Sequence, residues 1–319
     1  MRLNQIRDLV AIVNAGSMRS AAMCLGVAPP VLTRSVRELE AELGVQLLDR
    51  TAHGVTPTAA GKTFLARAHI IQNEMQRIQQ ETAQHANGGG AITVGVGGPG
   101  EYLLPGAVSA FRRQFPATEV RLTGGTYVSL LPQLRDGRLE LIVGALPETL
   151  DSQFKTVPIS REEFVIVARR GHPLAQAKSL AQLADADWLS FWGPFGDCAG
   201  AIQSLFEENH LPMPRSIIRC DDGGAFSALL AGTDLIAIGS RQRLRHGPAH
   251  DKFQIINVEI RRNSCSSVRL SAYHRADSPL TKPAAALLAA FKSEARRLAV
   301  LAAGKEQSFR RSAEVGVTA

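Results

Sequence analysis

Apolar residues in the first forty positions recur at helical spacing. Ile6, Leu9, Val10 and Val13 line one side of a helix predicted from Gln5 to Asn14. Gly16 interrupts it, and Ser17 is a good N-cap for a second helix, Met18 to Leu25, whose Ala21 and Ala22 allow close approach of a neighbour. Gly26 ends that helix. The third, Pro30 to Leu43, divides by face: Leu32, Val36, Leu39 and Leu43 form a buried stripe, with Thr33, Arg34, Arg37 and Glu40 outside. After Gly44, Val45–Leu48 is strand-like, Thr51–Gly54 is a turn, and Val55-Thr56 returns, so a small wing is expected.

From Thr58 a polar helix is predicted to about Gln84, with Phe64, Ala68, Ile71, Met75 and Ile78 at intervals of four and three. That rhythm makes a narrow seam suited to one partner helix. It is short for a coiled coil, and the same face could pack on the preceding helices. His85–Gly90 then reads as a flexible hinge. Beyond it, strand-like and helix-like segments alternate to Leu301, which implies mostly parallel sheets covered on both faces by helices. The chain from Gly304 onward reads as a disordered tail.

Composition narrows the class. The chain has 319 residues, 45% of them apolar, which is long enough for two or three modules. Aromatics are only 5%, too few for a single-strand binder that stacks bases on rows of rings. Four dispersed cysteines without a CxxC argue against a zinc site or disulfide framework and for a reducing cytoplasm. The interrupted start and the lack of a long apolar run predict neither a secretory peptide nor a membrane span. The formal charge is +7, but residues 1–87 carry only +2 and residues 261–297 carry +6. Bulk charge therefore does not point at the first module.

The arrangement of residues does. Two helices joined by a tight glycine turn, the second exposing Thr and Arg near its start, suit a reader of the DNA major groove. Ser17, Ala28, Pro29, Pro30, Thr33, Arg34 and Arg37 are the candidate contacts, with Arg50 and His53 of the wing placed to touch phosphates. Three packed helices of an ordinary α domain fit the periodicity equally well. The ordered series Gly16–Ala22, Leu25, Ala28–Glu40, Leu43–Thr51 and Val55–Gly61, however, closely resembles the N-terminal domain of LysR-type transcriptional regulators. Where that family usually has Ser-Gln before the helix, this chain has Ala28-Pro29, so Thr33 and Arg34 must carry more of the readout.

The resemblance implies an α/β architecture with an N-terminal all-α winged helix-turn-helix (1–57), a linker helix and hinge (58–90), and a two-lobed periplasmic-binding-protein-like effector domain (91–302). It implies lobes of about 91–162 with 265–302, and 163–264, ahead of a tail (303–319). It also implies pairing of subunits through the linker helix, double-stranded DNA and RNA polymerase as partners, and no cofactor beyond a small-molecule effector. An organic acid or aromatic metabolite is the expected class.

Candidate effector contacts are Gly97, Gly98, Pro99 and Gly100 in a strand-to-helix turn, Thr126 and Tyr127, Ala145, and Trp192, Phe195 and Phe226. Amides of the glycine turn are expected to favour an anion, with Glu101 opposing it. Gly95–Gly100 formally satisfies GxGxxG, but no acid ends the next strand, so a dinucleotide site is not expected. Asp222 is read as a cap for the following helix, and Glu162-Glu163 as solvated surface. No HExxH, GxSxG or phosphate-cradling loop occurs, and an enzyme is not expected. A two-lobed solute-binding protein without DNA-dependent regulation is the alternative.

Overall fold

A computed structural model describes residues 1–51, 54–87, 90–145, 151–191, 197–247, 250–258 and 267–315. The chain forms two compact units, one of residues 1–90 with 135–138 and one of 91–134 with 139–319.

In the first unit, α1 (Leu3–Ala15), α2 (Met18–Leu25) and α3 (Pro29–Leu43) are followed by β1 (Leu48–Thr51), β2 (Gly54–Pro57) and α4 (Ala59–Asn87). Ser17 caps α2 by accepting from the Ser20 amide at 3.1 Å, and Gly16, Gly26 and Gly44 end the three helices in the left-handed conformation that glycine tolerates. Ile6, Leu9, Ile12, Leu32, Val36 and Leu39 are fully or nearly fully buried in one core. Two positions depart from the predicted stripes. Leu43 is exposed, and Ser35 is buried in its place, donating to buried Asp8 at 2.7 Å. Polar residues on a core face are invisible to apolar periodicity.

The wing is pinned by backbone contacts. β1, antiparallel to β2, begins three residues later than the strand-like run at Val45 suggests, because Leu47 and Leu48 donate their amides to Glu40 Oε1 at 2.8 and 3.1 Å. The Val55 amide donates to the Gly16 carbonyl at 2.9 Å. α4 runs three residues beyond the expected Gln84, taking up His85–Asn87, and β3 begins at Gly90, so the hinge expected at 85–90 shrinks to residues outside the description.

The second unit holds β3 (Gly90–Val96), α5 (Leu104–Gln114), β4 (Thr118–Gly124), α6 (Tyr127–Arg135), β5 (Leu141–Gly144) and β6 (Phe154–Arg169). There follow β7 (Asp187–Phe191), α7 (Asp197–Glu208), β8 (Ser216–Cys220), α8 (Gly223–Gly232), β9 (Ile236–Ser240), α9 (Arg241–His246), β10 (Phe253–Ile255), β11 (Ser267–Arg275) and α10 (Lys282–Val315). Strand order is β4-β3-β5-β11-β6-β9-β7-β8, with β10 also on β6.

The expected mostly parallel sheet is mixed. β3–β5, β7–β8 and β7–β9 are parallel, whereas β11 pairs antiparallel with β5 and β6, and β6 pairs antiparallel with β9 and β10. The cause is β6, a 16-residue strand. Its first part, Phe154 to Glu163, pairs with β11, and from Phe164 it pairs with β9. One strand therefore serves both lobes. The expected return from the second lobe to the first, at residues 264–265, lies outside the described residues.

Each lobe has its own apolar core, one around Val94, Leu103, Phe111, Leu287 and Phe291, the other around Trp188, Leu205 and Phe206. The predicted disordered tail is corrected in part: α10 continues through Gly304 to Val315. Ala302, Ala303, Lys305 and Glu306 are strong helix formers, and one glycine costs a helix only about 1 kcal/mol.

Candidate functional site

The candidate DNA-reading surface lies at the start of α3. Ala28, its N-cap, offers no side-chain hydrogen bond, and Pro29 and Pro30 fill the first turn, where helix amides have no partner to lose. Ala28, Pro29, Pro30 and Val31 are all exposed. Thr33 is half-buried and donates its hydroxyl to the Pro29 carbonyl at 3.2 Å. Arg34 is highly exposed and pairs with Glu38 at 2.8 Å, one helical turn on, and its guanidinium holds the Glu38 carboxyl below the usual carboxylate range. Arg37 and Arg50 are exposed, and Ser17 spends its oxygen on capping. His53 lies outside the described residues.

The seam on α4 divides in two. Ala68 is buried in the core of the first unit, and Phe64 and Ile71 pack against that core. Ala68 is thus unavailable to a partner helix, because α1 and the wing already cover the first turns of α4. Met75 and Ile78, further along, are exposed.

In the second unit a cavity of about 190 Å³ opens between the segments that follow β3, β4 and β5 and those around α8 and α9. Gly97, Gly98, Pro99, Thr126, Tyr127 and Ala145 line it as expected, together with Phe226. Gly97 must be glycine, because a Cβ there would stand 2.8 Å from the Gly125 carbonyl oxygen. Gly100 does not line the cavity. It sits behind the turn, where a Cβ would meet the Val143 carbonyl oxygen at 3.0 Å. Trp192 and Phe195 lie outside the described residues. Phe191 packs on Phe226 with ring centres 5.7 Å apart and completes an aromatic wall.

Two expectations about charge are corrected. The Gly97 and Gly100 amides do not face a guest. They donate to the Val143 carbonyl at 3.0 Å and the Gly97 carbonyl at 3.2 Å, as the tight 3-10 turn Gly98–Leu103 requires. Glu101 is ion-paired at 3.0 Å with Arg243 of α9, which also lines the cavity. The sequence could not show this partner. α9 is six residues, mostly polar, and has no apolar rhythm to mark it.

Glu162, read as surface, is completely buried. It accepts from the Tyr102 hydroxyl at 2.7 Å and from the Ser160 and Ser240 hydroxyls, each at 2.9 Å. Desolvation, reinforced by the Glu162 charge, pushes the Tyr102 hydroxyl far above the ordinary tyrosine range, so it stays a donor. Ser240 also accepts from the Arg243 amide at 3.2 Å, which places Arg243 by way of the buried carboxylate. Neighbouring Glu163 pairs with Arg241 at 2.8 Å. Adjacent residues on a strand point to opposite faces, which is why the two glutamates have different fates. Asp222 caps α8 as expected, accepting from the Ala225 amide at 2.7 Å.

Among the described residues no group of three or more His, Cys, Asp or Glu could hold a metal ion, and no helix is long and apolar enough to cross a membrane.

Residues 3–62 match the bacterial regulatory helix-turn-helix protein family of the lysR type, and residues 85–296 match the LysR substrate binding domain. The transcriptional regulator CbbR of Sinorhizobium medicae (strain WSM419) is 32% identical over 174 residues, 54% of this chain, so the match spans about half the length of that relative (55%). The SDS degradation transcriptional activation protein of Pseudomonas sp. (strain ATCC 19151) is 32% identical over 242 residues, 74% of this chain and 78% of its own. The fold is similar to that of CbnR, a LysR family regulator, with a TM-score of 0.66 and 24% identity over 93% of this chain and 99% of that one. These relatives are transcriptional regulators rather than enzymes. With both of its units matched in order, the chain belongs to the LysR family of transcriptional regulators and combines a DNA-binding helix-turn-helix with an effector-binding domain.

Proposed function

We propose that the protein is a cytoplasmic, ligand-responsive regulator that binds a dyad operator as a dimer or a dimer of dimers. A small molecule in the cleft between the lobes shifts the arrangement of subunits on the promoter. The observation that carries this reading is the coexistence in one chain of a helix face with Arg34 and Arg37 exposed and a partly open, largely apolar cavity lined from both lobes. Pairing through Met75 and Ile78 of α4 supports two half-sites about one helical turn apart. An effector changes promoter geometry only if it binds one arrangement better than the other. Contact with RNA polymerase belongs to this reading through the family.

The solute-binding alternative has no use for Arg34, Arg37 and the wing. Footprinting of the DNA upstream of the protein's own gene, with and without a panel of organic acids and aromatic metabolites, tests the proposal. The expected result is a dyad footprint whose extent changes with one panel member. A footprint absent under all conditions, with a ligand still bound, would support the alternative.

A further inference from the structure

The cavity wall is largely apolar and aromatic, with Thr126, Ser227 and Ser240 among its polar members, and its charged residues form one ion pair between different lobes. Glu101 follows β3 in the first lobe, whereas Arg243 lies on α9 in the second. Both side chains are partly exposed, at 36% and 26%, toward the same cavity. The pair stands beside the start of α8, where a Cβ on Gly223 would lie 3.6 Å from Glu101 Oε1 and 3.9 Å from Arg243 Nη2. Among the described lining residues, Arg243 is the cation and Glu101 the anion. The Arg243 backbone is anchored through Ser240 to buried Glu162, so the guanidinium extends from a fixed base. A partly exposed ion pair is weak enough for competition.

From this arrangement we infer that the cleft takes a monocarboxylate on a small apolar body, and that the ligand's carboxylate replaces Glu101 on Arg243. The Glu101 carboxylate is an internal stand-in for that of the ligand. A cavity of about 150 Å³ takes a benzene ring, so about 190 Å³ admits one ring or a comparable alkyl group with its acid. Phe191 and Phe226 supply the surface against which such a body packs. Release of Glu101 also unties the two lobes at this point, which links occupancy to lobe geometry. The inference rests on the proposed role of the cleft and adds the charge and size of its occupant.

The test uses the full-length protein and a panel of one-ring and four- to eight-carbon monocarboxylates, benzoate among them, each paired with its neutral amide. Binding is read by calorimetry in wild type, Glu101→Gln and Arg243→Gln. Acids are expected to bind better than their amides. Glu101→Gln should tighten the acids about three- to fivefold by removing their competitor, and Arg243→Gln should erase the preference for acid over amide. Cooperative unfolding followed by tryptophan fluorescence, with both tryptophans in the second unit along with the two substituted residues, reports that each variant is folded. Amides binding as well as acids, or weaker acid binding in Glu101→Gln, would overturn the charge assignment while leaving the cleft as a ligand site. If neither class binds, both the assignment and the cleft reading fail.

Discussion

The reading face of α3 and the cleft of the second unit solve opposite problems with the same residue types. On α3 the working side chains come from one short run of sequence and stand in water, with Arg34 held only by a neighbour one helical turn away. In the cleft the working groups come from far apart: Glu101 meets Arg243, and Glu162 meets Tyr102 and Ser240. The first arrangement is local, and its residues can be exchanged with little effect on folding. The second is a product of topology, and its buried members cannot be removed without leaving polar groups unsatisfied.

The sharpest way to break this contrast is to fill the cleft. Gly97→Trp, with no room beside the Gly125 carbonyl, should abolish small-molecule binding and response while DNA affinity stays as in wild type. Both can be read on one preparation by calorimetry and gel shift, and an unaltered ligand response would move the pocket elsewhere. Next in size is Glu162→Ala, which strands three hydroxyls in the interior. It should lower the stability of the second unit by about 3 kcal/mol in chemical denaturation. A variant as stable as wild type would show that the buried network is dispensable.

Arg34→Ala should weaken specific operator binding by roughly tenfold to a hundredfold in a gel shift, with ligand binding unchanged. Unchanged operator affinity would remove this side chain from the readout. Charged residues at both Met75 and Ile78 should weaken self-association by about tenfold in sedimentation, since both are exposed and neither supports the core of the first unit. A dimer that survives would place the subunit contact off α4. The smallest effect is expected for Ser17→Ala, about 1 kcal/mol from loss of the α2 cap in thermal melting.

Legibility follows the same divide. Helices α1 to α3, their glycine stops and the Ser17 cap could be read from spacing, since each signal lies within a few residues of the structure it specifies. Reading went astray where a residue's role depends on distant partners. Ser35 and Asp8 bury each other in a helical core, and Glu162 looks like surface until two lobes close over it. α9 leaves no mark in the sequence, because its six mostly polar residues carry no period, although it supplies the cation of the cleft. Gly97, Gly98 and Pro99 of the glycine turn line the cavity and Gly100 does not, while the Gly97 and Gly100 amides, expected to face a guest, are taken by the Val143 and Gly97 carbonyls.

By itself, then, the sequence determined the helix-turn-helix, the alternation of strands and helices in the domain that follows it, and the family those features carry. Those are matters of local propensity and period, in which neighbours decide for neighbours. Tertiary structure alone decided that β6 runs through both lobes, that Ala68 belongs to the core of the first unit, and that Glu101 is neutralised by Arg243 across the cleft. Burial and ion pairing are properties of what surrounds a side chain in space, and residues 142 positions apart in the chain leave no local trace of having met.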